Sequence, residues 1–158
     1  MSFPLSYKPD GFDVLERLRR LYEERDQSII LASMELPSAA LQDMALRHPA
    51  GFCEYPDPRE RARFWDARFR EKLGLRDDSI PSAYMSEMDQ GLYGGLLGGK
   101  VQFMAHPDNG WISSMVAPLL DDWSQFDRLR FDRSLPWFAR YLRQLDTFVR
   151  GAAGKFAV

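Results

Sequence analysis

The sequence predicts an α+β fold, rich in helix with one small β-hairpin. Three observations carry that expectation. Apolar residues recur at helical spacing in separate segments: Leu15, Leu18 and Tyr22 early in the chain, and Phe138, Tyr141, Leu142, Leu145 and Phe148 near its end. Two short β-like runs, residues 100–104 and 111–116, flank the turn signals Pro107-Asp108 and Asn109-Gly110. The chain has 158 residues, 45% hydrophobic and 28% charged, which is the size and balance of one globular unit. No internal repeat, low-complexity tract or linker divides residues 1–158, so they are read as a single domain.

Residues 11–26 form the first expected helix, with Val14 and Leu21 widening its apolar stripe. Glu16, Arg19, Arg20, Glu23, Glu24 and Arg25 make its solvated face. Ser28-Ile29-Ile30-Leu31-Ala32 is a short apolar run whose length suits a buried strand. Ser38 is placed to cap a second helix, which ends near His48 because Pro49 disfavours helix at the residue before it. Asp57-Pro58 starts a third, since Asp57 can cap and Pro58 fits a first position that needs no N–H. It runs through Phe64, Trp65, Phe69 and Leu73 to a stop at Gly74. Its Arg59, Arg61, Arg63, Arg68 and Arg70 alternate with Glu60, Asp66 and Glu71. That pattern reads as a solvated face before it reads as carboxylate or phosphate recognition.

Residues 75–99 read differently: Asp77-Asp78-Ser79-Ile80-Pro81-Ser82 is loop chemistry, and the glycines after it are expected to form a structural turn region lining a cleft. Pro81 biases Ile80 away from helix, and Gly91, Gly94, Gly95, Gly98 and Gly99 suggest tight turns or backbone packed close to something. This is not a P-loop, because Gly99-Lys100 is followed by Val101. Asp121-Asp122-Trp123 opens a short helix to about Leu129. Ser134 is the expected cap of a last long helix that has Pro136 inside its start and Gly151 and Gly154 at its end. Lys155-Phe156-Ala157-Val158 then reads as the start of an apolar strand. Either it pairs with residues 28–32 in a small mixed sheet, or it begins a longer fold.

Charge and composition exclude several function classes. Lys and Arg total 21 against 23 Asp and Glu, a net charge of -2, which argues against a general nucleic-acid binder. No segment approaches 18 consecutive apolar residues, so no membrane partner is expected. Residues 1–8 lack an apolar run behind a basic stretch, so no secretory leader is expected. The single cysteine, Cys53, cannot form an internal disulfide or a Cys-rich zinc site, and it points to a reducing, cytoplasmic setting.

Chemistry concentrates between Tyr84 and Tyr93, where Tyr84, Glu87, Asp89, Gln90 and Tyr93 place acid, amide and phenol groups beside glycines. Tyr84, Asp89, Gln90, Tyr93 and Trp111 are the candidate substrate-binding residues. Asp89 would serve as an acid or base if burial raised its pKa. Capping and turn formation are the more ordinary use of such a residue. His48, Cys53 and His106 are possible soft or borderline ligands, but zinc sites need three or four convergent groups, so no metal site is expected. Cys53 reads as an inert, buried thiol, and Met34, Met85, Met88, Met104 and Met115 as core filling before a cofactor pocket. Ser113 and Ser114 have no candidate base nearby in sequence. The residues name neither a catalytic group nor a cofactor.

One stretch carries a resemblance. Asp77-Asp78-Ser79-Ile80-Pro81, the glycine-rich segment from Gly91 to Gly99 leading into Val101, and Trp111 come first. Pro118-Leu119-Leu120-Asp121-Asp122-Trp123, Leu129-Arg130-Phe131-Asp132 and Pro136-Trp137 follow, then a helix into Gly154-Lys155-Phe156-Ala157-Val158. In order and spacing this resembles the region that precedes the barrel in the uroporphyrinogen decarboxylase-like superfamily, and it covers about half the chain. The resemblance implies the helix-rich N-terminal portion of a (β/α)₈ barrel protein, with Lys155–Val158 as the first barrel strand and the barrel itself mostly absent. A complete barrel needs roughly 250 residues. It implies decarboxylation or methyl transfer on a small-molecule substrate by the complete protein, and an inactive isolated chain. The Arg-Gln-Ala-Gly-Arg substrate motif of the family's decarboxylases is missing, and the zinc ligands of its methyltransferases would lie beyond Val158. No catalytic residue therefore transfers. The alternative is a stand-alone interaction module that forms a homo-oligomer through its C-terminal strand, since an unpaired edge templates association.

Overall fold

The computed structural model describes residues 4–158, with the side chain of Gln90 outside the described residues. Residues 1–3, which begin the stretch read above for a leader, also lie outside them. Helix α1 spans Gly11–Tyr22 and ends four residues before its expected limit, ahead of a positive φ of 54° at Arg25. Helix α2 spans Ala39–Arg47, and Ser38 Oγ accepts the Leu41 N–H at 3.1 Å as its capping chemistry requires. Helix α3 spans Pro58–Arg70, with Asp57 accepting the Arg59 N–H at 2.9 Å and Pro58 in its first turn. Gly74, at φ 91°, closes the turn after it.

The hairpin forms as expected, one residue later than read. Strand β2 (Val101–Ala105) pairs antiparallel with β3 (Ile112–Val116), and Phe103 stands opposite Ser114. A further strand joins them. Strand β1, Gly51–Cys53, lies antiparallel on the other edge of β2, giving the order β1-β2-β3. Phe103, Ala105 and Ile112 pack beneath this sheet against Cys53, Tyr55 and Trp137. A second core joins α3, α2 and helix α5 (Pro136–Ala152) through Phe64, Trp65, Met44, Phe148 and Phe156. Burying Phe148 to 1% exposure contributes about 1.5–3 kcal/mol.

The glycine-rich segment begins as helix and not as a run of turns. A short 3-10 turn, Ser86–Met88, leads directly into α4, Asp89–Leu96. Helix propensity argues against glycine there, but packing overrides it. A Cβ on Gly91 would stand 2.6 Å from Ser114 Oγ, and one on Gly95 would stand 2.6 Å from the Trp137 ring. The glycines thus let α4 lie flat on β3 and α5, which is the close-packing half of the expectation.

Other readings are corrected. Residues 28–32 form no strand, and Ile30 is 87% exposed. Ala32 is instead tied to Asp78, whose carboxylate accepts the Ala32 N–H at 2.8 Å and whose N–H donates to the Ala32 carbonyl at 2.7 Å. Ser134 does not cap α5; Leu135 stands at the cap position, and the Ser134 N–H donates to Asp132. The short helix after Asp122 is a 3-10 turn, Trp123–Arg128. The C-terminal run pairs with residues 81–83 and not with 28–32: Ser82 and Ala157 form a parallel bridge, flanked by Ala157 N–H to Pro81 and Ala83 N–H to Ala157. On its other side, the Ser6 and Tyr7 N–H groups donate to Gly154 and Lys155. The result is an α+β chain. Among the described residues no helix is long and apolar enough to cross a membrane.

Candidate functional site

The segment after Pro81 lies across the face of α3, and it delivers the predicted residues to one place. Tyr84 stacks on Trp111, with centroids 6.4 Å apart and planes at 14°. Its hydroxyl faces the Asp89 carboxylate. Partial burial and that contact push the phenol above its ordinary value. Tyr93 lies one helical turn beyond Asp89 on α4, close enough for its phenol to act electrostatically on Tyr84. Tyr84 and Tyr93 are 50% and 75% exposed, and Asp89 is exposed too. The structure thus brings Tyr84, Asp89, Tyr93 and Trp111 together as a surface patch with a flat aromatic face and one carboxylate. Gln90 shares α4 with them, but its side chain lies outside the described residues. Asp89 is exposed, so the burial expectation does not describe it; it does not cap α4 but closes the 3-10 turn, its N–H donating to the Ser86 carbonyl.

Directly beneath the patch is a polar network that the sequence reading missed. Arg61 and Glu87 form a fully buried ion pair through Arg61 Nε and Glu87 Oε1. Glu87 Oε2 accepts from Gln144 Nε2 at 2.8 Å, and Gln144 Oε1 accepts from the Tyr55 hydroxyl at 2.6 Å. Burial, and then the Glu87 carboxylate, push the Tyr55 phenol far above its ordinary value. The Arg61 guanidinium lies 4.9 Å from the Phe64 ring centroid and 5.7 Å from that of Trp111, so cation–π contact links the network to the patch. Arg61 Nη1 and Nη2 are buried without a hydrogen-bond partner among the described residues. Arg61 and Arg68 therefore correct the solvated-face reading of α3, while Arg59, Arg63 and Arg70 are exposed. A signal was present: Arg61, Phe64, Trp65 and Arg68 recur at i, i+3, i+4 and i+7, which makes them one face of a helix.

The other candidates disperse. His48 faces Glu60 at 3.4 Å, and His106 is exposed beside Asp108 in the hairpin turn. Cys53 sits on β1 opposite Phe103, and burial raises its thiol pKa. Among the described residues no group of three or more His, Cys, Asp or Glu converges in a way that would hold a metal ion. Compared with family models, with curated proteins and with solved structures, the chain has no significant match.

Proposed function

We propose that this chain is the N-terminal part of a uroporphyrinogen decarboxylase-like protein whose complete form carries out decarboxylation or methyl transfer. The observation that carries the reading is the ordered series of segments from Asp77 to Val158. The structure adds a supporting detail. Ser82 and Ala157, near the start and the end of that series, form one isolated parallel bridge after helix α5. Parallel pairing after a helix is also how a (β/α)₈ barrel is built. In this reading the patch of Tyr84, Asp89, Tyr93 and Trp111 contacts a small-molecule substrate. Its stacked rings offer a flat π face and Asp89 an acceptor for a substrate N–H or O–H. Catalytic groups of such barrels come from loops at the ends of several strands, so the 158 residues alone hold the patch and not the chemistry.

The assay that tests this measures turnover of a porphyrinogen and of a methyl-corrinoid substrate by the isolated chain. No turnover is expected; detectable turnover overturns the reading. Association of copies through the C-terminal strand is a weaker alternative, because Phe156 is only 3% exposed and Val158 alone offers an apolar surface there. A dimer seen by sedimentation that is lost in Val158→Lys would favour it.

A further inference from the structure

The groove between α3 and α5 is a positively charged recess on a chain whose net charge is -2. It is an open groove of about 320 Å³. Its floor is the helix contact beneath it: a Cβ added to Gly151 would stand 3.1 Å from the Ala62 methyl, so the helices approach closely along these small residues. Arg59 and Arg63 rise from one wall, and Arg150 and Lys155 from the other. The one carboxylate in the lining, Asp66, is already taken. Lys155 Nζ donates to its Oδ1 at 2.5 Å, the Tyr7 hydroxyl to the same oxygen at 2.9 Å, and Arg70 to its Oδ2 at 2.8 Å. Burial opposes ionisation of Asp66, but these bonds hold its carboxyl below the ordinary value. Arg150 shares its charge with exposed Asp146, whereas the Arg59 and Arg63 guanidinium groups have no side-chain partner among the described residues. They stand one helical turn apart, so they face the same stretch of groove.

We propose that this groove binds a small molecule bearing two or more adjacent anionic groups, phosphate or carboxylate, which bridges Arg59 and Arg63 and reaches Arg150. Guanidinium groups meet such oxyanions by paired N–H donation, and two unpartnered arginines at i and i+4 match a ligand with two anionic groups better than one with a single charge. The inference uses none of the residues of the aromatic patch and does not depend on the family reading.

The test is calorimetric titration of the full chain with inorganic pyrophosphate, and separately with citrate, in buffer of about 0.02 M ionic strength. Binding of either is expected, with affinity falling at least about tenfold in the double variant Arg59→Gln/Arg63→Gln, since each lost charge-assisted contact is worth about that much. The variant Arg19→Gln, on α1 and outside the groove lining, should bind as the parent does. Pyrophosphate alone binding identifies a phosphate site, citrate alone a carboxylate site, and both a site for either group. Three results would overturn the proposal: binding of neither anion, equal affinity in the double variant, or an equal loss in Arg19→Gln. Both positions are exposed, so circular dichroism of the variants should match that of the parent.

Discussion

Replacing Glu87 by Gln keeps shape and volume but removes the only anion among the described residues that touches Arg61. Both side chains are fully buried, and Arg61 Nη1 and Nη2 already lack acceptors among the described residues. The guanidinium would then sit in the core as an uncompensated charge, which typically costs about 3–5 kcal/mol. Glu87→Gln still offers an amide oxygen to Gln144, so the charge effect dominates the loss. A domain of this kind is stable by about 5–15 kcal/mol, so the loss is a large fraction of the total and unfolds the chain if its stability lies at the low end. With a urea m-value of about 2 kcal/mol/M, the midpoint drops by about 2 M. Tryptophan fluorescence suits the measurement, because Trp65 and Trp111 pack against each other at 5.4 Å beside the site. The double variant Arg61→Met/Glu87→Gln removes both charges and should recover most of the loss, which keeps the test readable if the single variant does not fold. A loss below about 1 kcal/mol in Glu87→Gln, or a double variant less stable than the single, would refute the reasoning.

Three more outcomes follow from the geometry. Tyr55→Phe removes the donor to Gln144 Oε1 and leaves a buried carbonyl unsatisfied, so equilibrium unfolding should show a loss of about 1–3 kcal/mol. Gly95→Ala drives a methyl into the Trp137 ring and should cost at least about 1–3 kcal/mol, read as a lowered Tm; an unchanged Tm would contradict the close packing of α4 on α5. Asp77 is nearly buried, and burial opposes its ionisation. Bonds from the Met34 N–H, from Ser79 and from Lys8 nonetheless hold its carboxyl below the ordinary value. Its folded pKa being the lower one, its contribution is present above the unfolded value of about 3.9 and is lost as pH falls through the folded value. Stability should therefore decline below about pH 4, and the decline should be shallower in Asp77→Asn.

How much of this was legible in the sequence depends on how local the cause is. Ser38, Asp57-Pro58 and Asn109-Gly110 act on their own few residues, and each produced the cap or turn its chemistry requires. Strand β1 is three residues long and carries no alternation to detect. The helical state of residues 89–96 depends on Ser114, Val116 and Trp137, which lie far along the chain. Residues 28–32 have the composition of a core strand, yet among the described residues no strand pairs with them. The candidate patch was legible because Tyr84, Asp89 and Tyr93 are close in sequence, and Trp111 joined it through a contact that a 27-residue separation hides. The Arg61–Glu87–Gln144–Tyr55 network draws on four separate segments. Seeing it required treating arginines as members of the buried α3 face and not as decoration of its surface.

The most direct test of the central claim is the coding sequence beyond the Val158 codon. The account predicts an open reading frame continuing with alternating strands and helices for most of a barrel, which typically totals about 250 residues. A stop codon immediately after Val158 would contradict it.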